Sequence, residues 1–236
     1  MSDPSLVMIP GLNCTGRLFE QLGGALGDDF AVSVAQAGRE MTIARDARAI
    51  LADAPPSFTV LGLSLGGYLA FEVWRQAPER VERMILLDTS ARPDTPEQTE
   101  RRMEQIALAE AGRFDEVPHL QYPMLVHASR ENDEALRAIV VRMARDTGAT
   151  RFVNQQRVII SRPDSRPDLV AISCPVLVVV GDGDRLTPPD LAREIADGIP
   201  GAWLETIREC GHLSTLERPQ EVESAILPWL GVRPRD

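Results

Sequence analysis

Ser64 lies in the run TVLGLSLGGYLAFEVW (Thr59–Trp74), with Gly62 two residues before it and Gly66 two after. A serine hydroxyl is a weak nucleophile until a base takes its proton. Three histidines could act as that base, namely His119, His127 and His212. Such a base needs a third group, a carboxylate as a rule, to orient the imidazole and to stabilise its cation. The run VVVGDGDRLTPP supplies two carboxylates, Asp182 and Asp184, with glycines on either side of Asp182. The chemistry of such a set is acyl transfer through a covalent serine intermediate.

The elements around these residues decide whether they can meet. Short runs rich in Val, Ile and Leu read as buried strands: Leu6–Ile9, Phe30–Ala35, Phe58–Leu63, Arg83–Asp88 and Pro175–Gly181. A sixth, Ala202–Ile207, alternates more and suits a sheet edge. Runs apolar on both faces point to a parallel sheet covered on both sides. Helical patterns fall between them: RLFEQLGGAL, Thr42–Asp53 with Thr42 at the N-cap, LGGYLAFEVWRQAP stopping at Pro78, PPDLAREIADGI, and RPQEVESAILPWL. Strand–helix alternation of this kind gives right-handed crossovers and a doubly wound α/β sheet of about six strands. Residues 92–168 break the rhythm with two amphipathic helical stretches and read as a helical cap insertion, leaving 1–91 and 169–236 as the core.

The glycines about Ser64 fit this frame. A strand turning sharply into a helix forces the turn residue into a strained conformation and leaves no room for neighbouring side chains. The turn presents the hydroxyl at the carboxyl end of the sheet, beside a helix N-terminus that favours developing negative charge. His212 falls between the last strand and the last helix, in a loop that opens at the same edge, whereas His119 and His127 lie in the insertion. As bland alternatives, Ser64 could merely cap a helix and His212 could be a hydrogen-bonded loop residue. The two aspartates could be turn formers, and Asp88, at the end of the fourth strand, is an alternative acid.

Bulk properties remove other classes. The 236 residues carry a net charge of −10, which disfavours nucleic acid and anionic membrane as partners. All 25 basic residues are arginine, which eliminates lysine Schiff bases and the P-loop lysine. No apolar run reaches the ~18 residues that span a membrane. The N-terminus lacks a basic stretch ahead of its first apolar run, unlike a signal peptide. Cys14, Cys174 and Cys210 are odd in number and widely spaced, which fits a reducing, cytoplasmic setting and packing roles. Without CxxC or HExxH, no metal site is expected, and the chemistry calls for no cofactor.

The motifs PGLNCTG, GLSLGG, GDGDRLTPP and GHLSTLERPQEV resemble those of the α/β-hydrolase superfamily, in its compact esterase-like branch, over nearly the whole chain. The resemblance implies a triad of Ser64, Asp184 and His212. It also implies an oxyanion hole from the backbone N–H groups of Leu65 and Leu12. The expected reaction is cleavage of a small or medium carboxylic ester, thioester or lactone. A small-molecule substrate is implied, anionic if an arginine of the insertion points inward. The same set also serves C–C bond hydrolases, perhydrolases and lyases, or a ligand-binding relative of low turnover. The chain departs from the pattern in two places. Pro10-Gly11 stands where many relatives have His-Gly, whose histidine braces the loop. The first strand here is expected to match the family's third, without the usual two before it.

Overall fold

The computed structural model describes residues 4–232. Six strands form one parallel sheet in the order β2-β1-β3-β4-β5-β6. They are β1 (Ser5–Ile9), β2 (Ala31–Val34), β3 (Phe58–Leu63), β4 (Val81–Leu87), β5 (Val176–Gly181) and β6 (Trp203–Ile207). The period of two along each strand sends alternate residues to opposite faces. Val7, Ile9, Val60, Met84, Leu86, Val178 and Val180 therefore pack against α2 (Ile43–Asp53), α3 (Leu65–Gln76) and α8 (Pro189–Gly198). Leu6, Met8, Leu61, Leu63, Ile85, Leu87, Leu177 and Val179 face α1 (Glu20–Leu26) and α9 (Pro219–Leu230) on the other side. Each such side chain contributes about 1.5–3 kcal/mol when fully buried, so strands apolar on both faces demand helices on both.

One expectation needs correction. The sequence pattern makes the second strand a buried one, but β2 is exposed along its length because it occupies a sheet edge. An edge strand is covered less than a central one, and the apolar character of Val32 and Val34 gives no sign of that position. Thr42 stands at the N-cap of α2 as expected, without a side-chain capping bond.

The segment between β4 and β5 is all helical. It holds α4 (Pro96–Glu110), α5 (Val117–Leu125), α6 (Glu134–Thr147) and α7 (Ala149–Ile160) rather than two long helices. The second of the two amphipathic stretches divides at Gly148, whose φ of 79° ends α6 and begins α7. Glycine reaches that left-handed region at no steric cost. Thr95 caps α4 through a full capping box with Gln98. Ile106, Ala109, Val117, Phe152 and Val153 make a small core within the insertion. Leu12, in the loop after β1, packs against both that core and the sheet core beneath it.

Candidate active site

Ser64 occupies the junction of β3 and α3 with φ 56° and ψ −113°, a conformation few non-glycine residues adopt. Its backbone is held on every side. The Ser64 N–H donates to the Leu87 carbonyl at 2.9 Å, and the Ser64 carbonyl accepts from Thr89 Oγ1 at 2.8 Å and from the N–H of Gly67 at 2.9 Å. The glycines are required by contact. A Cβ on Gly62 would stand 2.2 Å from the Gly66 carbonyl oxygen, and one on Gly66 would stand 1.8 Å from the Ile9 carbonyl oxygen. Both obstacles are backbone atoms of central strands or of the elbow itself, which cannot move aside cheaply. Gly66→Ala is therefore expected to cost about 3 kcal/mol or more, through overpacking at a rigid contact. A urea melt checks this: a midpoint equal to that of the parent protein would show the contact to be soft.

Asp184 and His212 come together after β5 and β6. His212 Nδ1 lies 2.8 Å from Asp184 Oδ2, and both residues are 3% exposed. Asp184 is fixed further by donors from the turn that follows it. Its Oδ1 accepts from the N–H groups of Leu186 at 2.8 Å and Thr187 at 3.0 Å, and its Oδ2 from Thr187 Oγ1 at 2.6 Å. The imidazole therefore donates from Nδ1 and keeps its lone pair on Nε2. Asp182 instead accepts the Cys210 N–H and shapes the turn.

The charges follow from these contacts. Burial alone would raise the Asp184 carboxyl, but the His212 cation, its hydrogen bond and the Thr187 donors hold it below the usual carboxylate range. Burial would lower His212, yet the charge and hydrogen bond of Asp184, with Asp88 and Glu217 beyond it, raise it above an ordinary imidazole.

Ser64 is half-buried, and its hydroxyl makes no hydrogen bond to His212 or to any other described residue. Such bonds are commonly long without substrate and tighten in the reacting complex. The three residues still share one edge of the sheet. Ser64 follows β3 and is tied to Leu87 at the end of β4; Asp88 comes next, and its Oδ2 accepts from Ser214 Oγ at 2.5 Å, two residues beyond His212. Asp88, the alternative acid, also accepts the Gly181 N–H at 3.0 Å but does not bond the imidazole. Burial, and then the charge of Asp184, push its carboxyl up to about 8.

Gly11 brings the loop after β1 beside the serine: a Cβ there would lie 3.5 Å from Ser64 Cβ. Neither the Leu12 N–H nor the Leu65 N–H has an acceptor among the described residues. Both are backbone donors left open next to the Ser64 turn.

Three residues of the site carried no signal in the sequence. Thr187 holds Asp184; Ser214 holds Asp88; and Glu217 clamps the histidine loop. Glu217 accepts from the N–H groups of Gly211 at 3.0 Å and His127 at 2.8 Å, which joins that loop to the end of α5. His127 itself pairs with Ser129, and His119 is exposed. Tyr122 is core, its hydroxyl donating to the Arg130 and Asp133 carbonyls. Burial pushes the Cys14 thiol up to about 12 and raises those of Cys174 and Cys210, as packing residues require.

Comparison with known proteins agrees with this architecture. A pimeloyl-[acyl-carrier protein] methyl ester esterase from Nitrosomonas europaea is 30% identical over 185 residues, which span 74% of this chain and 72% of that protein. A relative from Mycobacterium tuberculosis named as a non-heme bromoperoxidase is 29% identical over 72% of this chain, and the match spans just under two thirds, 66%, of its own length. The solved structure of a thermophilic esterase from Thermogutta terrifontis superimposes with a TM-score of 0.89 at 26% identity, covering 98% of this chain and 90% of that one. A family model described as the alpha/beta hydrolase family matches residues 6–225, nearly the whole chain, and the protein belongs to that family.

Proposed function

We propose that this protein is a serine hydrolase that cleaves small or medium carboxylic esters through an acyl-enzyme. One observation carries the reading: a buried Asp184 binds Nδ1 of His212 at 2.8 Å, which frees Nε2 as a base at the sheet edge where Ser64 sits at φ 56°. Ser64 Oγ attacks the ester carbonyl and passes its proton to Nε2. The tetrahedral oxyanion is met by the open N–H groups of Leu12 and Leu65. Collapse expels the alcohol, protonated by His212; water then attacks the acyl-enzyme with the same imidazole as base. Two preorganised donors suit this step, since losing one costs about 3–4 kcal/mol of transition-state stabilisation in comparable sites.

The substrate is a small molecule with an anionic group. In the insertion, one buried carboxylate, Asp94, carries two guanidinium groups, Arg102 at 2.7 Å and Arg162 at 2.8 Å; Arg162 also donates to the Arg92 and Ile159 carbonyls, so the half-buried Arg102 is the cation left to meet an anion. Arg162 also stacks on Tyr68, one helical turn after Ser64, at 4.2 Å from the ring centroid. The ester names borne by the Nitrosomonas europaea and Thermogutta terrifontis relatives support the reaction class.

A panel of p-nitrophenyl esters from acetate to decanoate, with monomethyl esters of dicarboxylic acids beside neutral methyl esters, tests both parts. Turnover is expected to peak at short or medium acyl chains, and the dicarboxylate half-esters should exceed their neutral counterparts about tenfold in kcat/KM, as one favourable charge contact allows. A fluorophosphonate should label Ser64. Neither turnover nor labelling would point instead to a ligand-binding protein, and a preference for neutral esters would remove the anionic assignment.

A further inference from the structure

The loop that carries Leu12 is braced from outside. Pro10 has no N–H and Gly11 no side chain, so neither can tie the turn to the rest of the protein through those groups. Asn13, next in the chain, sits in the left-handed region at φ 58° and is 4% exposed. Its N–H donates to Gln155 Oε1 at 3.0 Å. Gln155 lies on α7 of the insertion, is 2% exposed, and donates from Nε2 to the Ala37 carbonyl at 3.3 Å. With a donor on one side and an acceptor on the other, its amide has one orientation only.

We propose that Gln155 is a positioning residue for the oxyanion hole. The bond to Asn13 N–H fixes the peptide plane between Leu12 and Asn13. The Leu12 side chain is pinned at the same time between the sheet core and the core of the insertion. The Cys14 N–H closes the turn on the Gly11 carbonyl at 3.1 Å. With the peptide after it, its side chain and the turn all fixed, Leu12 has no freedom to swing its own N–H away from the oxyanion position beside Ser64. The helical insertion thus supplies part of the catalytic geometry without touching substrate. A preorganised donor loses value quickly when it wanders, because the preorganisation is what stabilises the transition state.

The inference rests on the hydrolase reading above, and its test separates the two. Gln155→Met removes the acceptor at similar volume; Gln155→Glu keeps an oxygen for the Asn13 N–H. For the Met variant kcat on p-nitrophenyl butyrate should fall about 10–100-fold, less than the 10²–10³-fold of a lost oxyanion donor, with KM within twofold. The Glu variant should recover most of that loss. Affinity for butaneboronic acid, which forms a tetrahedral anion on Ser64 Oγ, should fall by the same factor as kcat in each variant.

A purely structural bond would lower thermal stability without that parallel, so unchanged boronate affinity alongside lowered kcat overturns the assignment, as does an unchanged kcat. Loss of one buried acceptor is small beside a domain's stability, so the fold is retained. Should the Met variant fail to fold, Gln155→Ser, too short to reach the Asn13 N–H, carries the same comparison of kcat with boronate affinity. If the parent protein takes up no fluorophosphonate at Ser64, it is the hydrolase reading that has failed, and the role of Gln155 falls with it.

Discussion

Ser64→Ala is expected to abolish ester turnover and to leave the fold intact. Removing the nucleophile from a site of this kind lowers kcat by about 10⁶-fold, because the serine and its base act as a unit. The fold survives because the hydroxyl supports nothing in the resting protein. The bonds that hold the elbow, from Ser64 N–H to Leu87 and from Thr89, Gly67 and Tyr68 to the Ser64 carbonyl, all belong to the backbone of residue 64. Alanine meets the same positive φ as serine, so the strain of the turn is unchanged to a first approximation. The measurement is kcat on a reactive ester beside a thermal melt. A melting temperature within a few degrees of the parent and a loss of fluorophosphonate labelling are expected. Turnover above about one-thousandth of the parent rate would give the reaction to another nucleophile, since the oxyanion hole and binding alone leave only a residue of catalysis over water.

Much of this is legible in the sequence because each step is local. The elbow can be read from Gly62, Ser64 and Gly66 between a strand and a helix, since the turn admits no side chain at the glycines. The sheet can be read from runs that are apolar on both faces. What fails to show in the sequence depends on neighbours brought from far along the chain. The pattern of β2 is that of a buried strand, and only its place at the end of the order exposes it. Thr187, Ser214 and Glu217 are ordinary residues in their own segments; they matter because their partners are Asp184, Asp88 and the loop of His212. Gln155 is less visible still, 142 positions from the amide it holds. The division of the insertion at Gly148 is signalled by the glycine, but helical periodicity on both sides masks it.

These distant contacts have a common effect. Four groups that orient the site are each bonded to a second group: Asp184 to Thr187, His212 to Asp184, the histidine loop to Glu217, and the loop after β1 to Gln155. Buried polar groups left unpaired would cost about 1–3 kcal/mol each, so such pairing both removes a penalty and fixes direction. The segment between β4 and β5 contributes to two of these ties, through the end of α5 and through α7. A helical insertion that touches both the base loop and the Leu12 loop constrains the site from above, while the sheet constrains it from below.

Asp184→Asn tests the electrostatic half of the site and should lower kcat about 10⁴-fold. An amide can offer its N–H to Nδ1, which favours the tautomer with the proton on Nε2, where it cannot serve as base. The pH dependence gives a sharper signature than the rate. His212 must be neutral to accept the serine proton. Its protonated form is favoured by Asp184 above all, with Asp88 and Glu217 adding to the effect, against the opposing influence of burial. A raised imidazole stays protonated to higher pH, so kcat/KM of the parent should fall on the acid side with a midpoint above the ordinary ~6.5 of histidine. Removing the Asp184 charge leaves burial to dominate, and the midpoint of the variant should move to lower pH. Asp88 is engaged by the Gly181 N–H and the Ser214 hydroxyl and does not bond the imidazole, so it does not replace the lost contact. A pH profile of kcat/KM from pH ~4 to ~9 for both proteins decides the matter: an acid limb that stays in place, or moves up, would mean that Asp184 is not the carboxylate that sets the base.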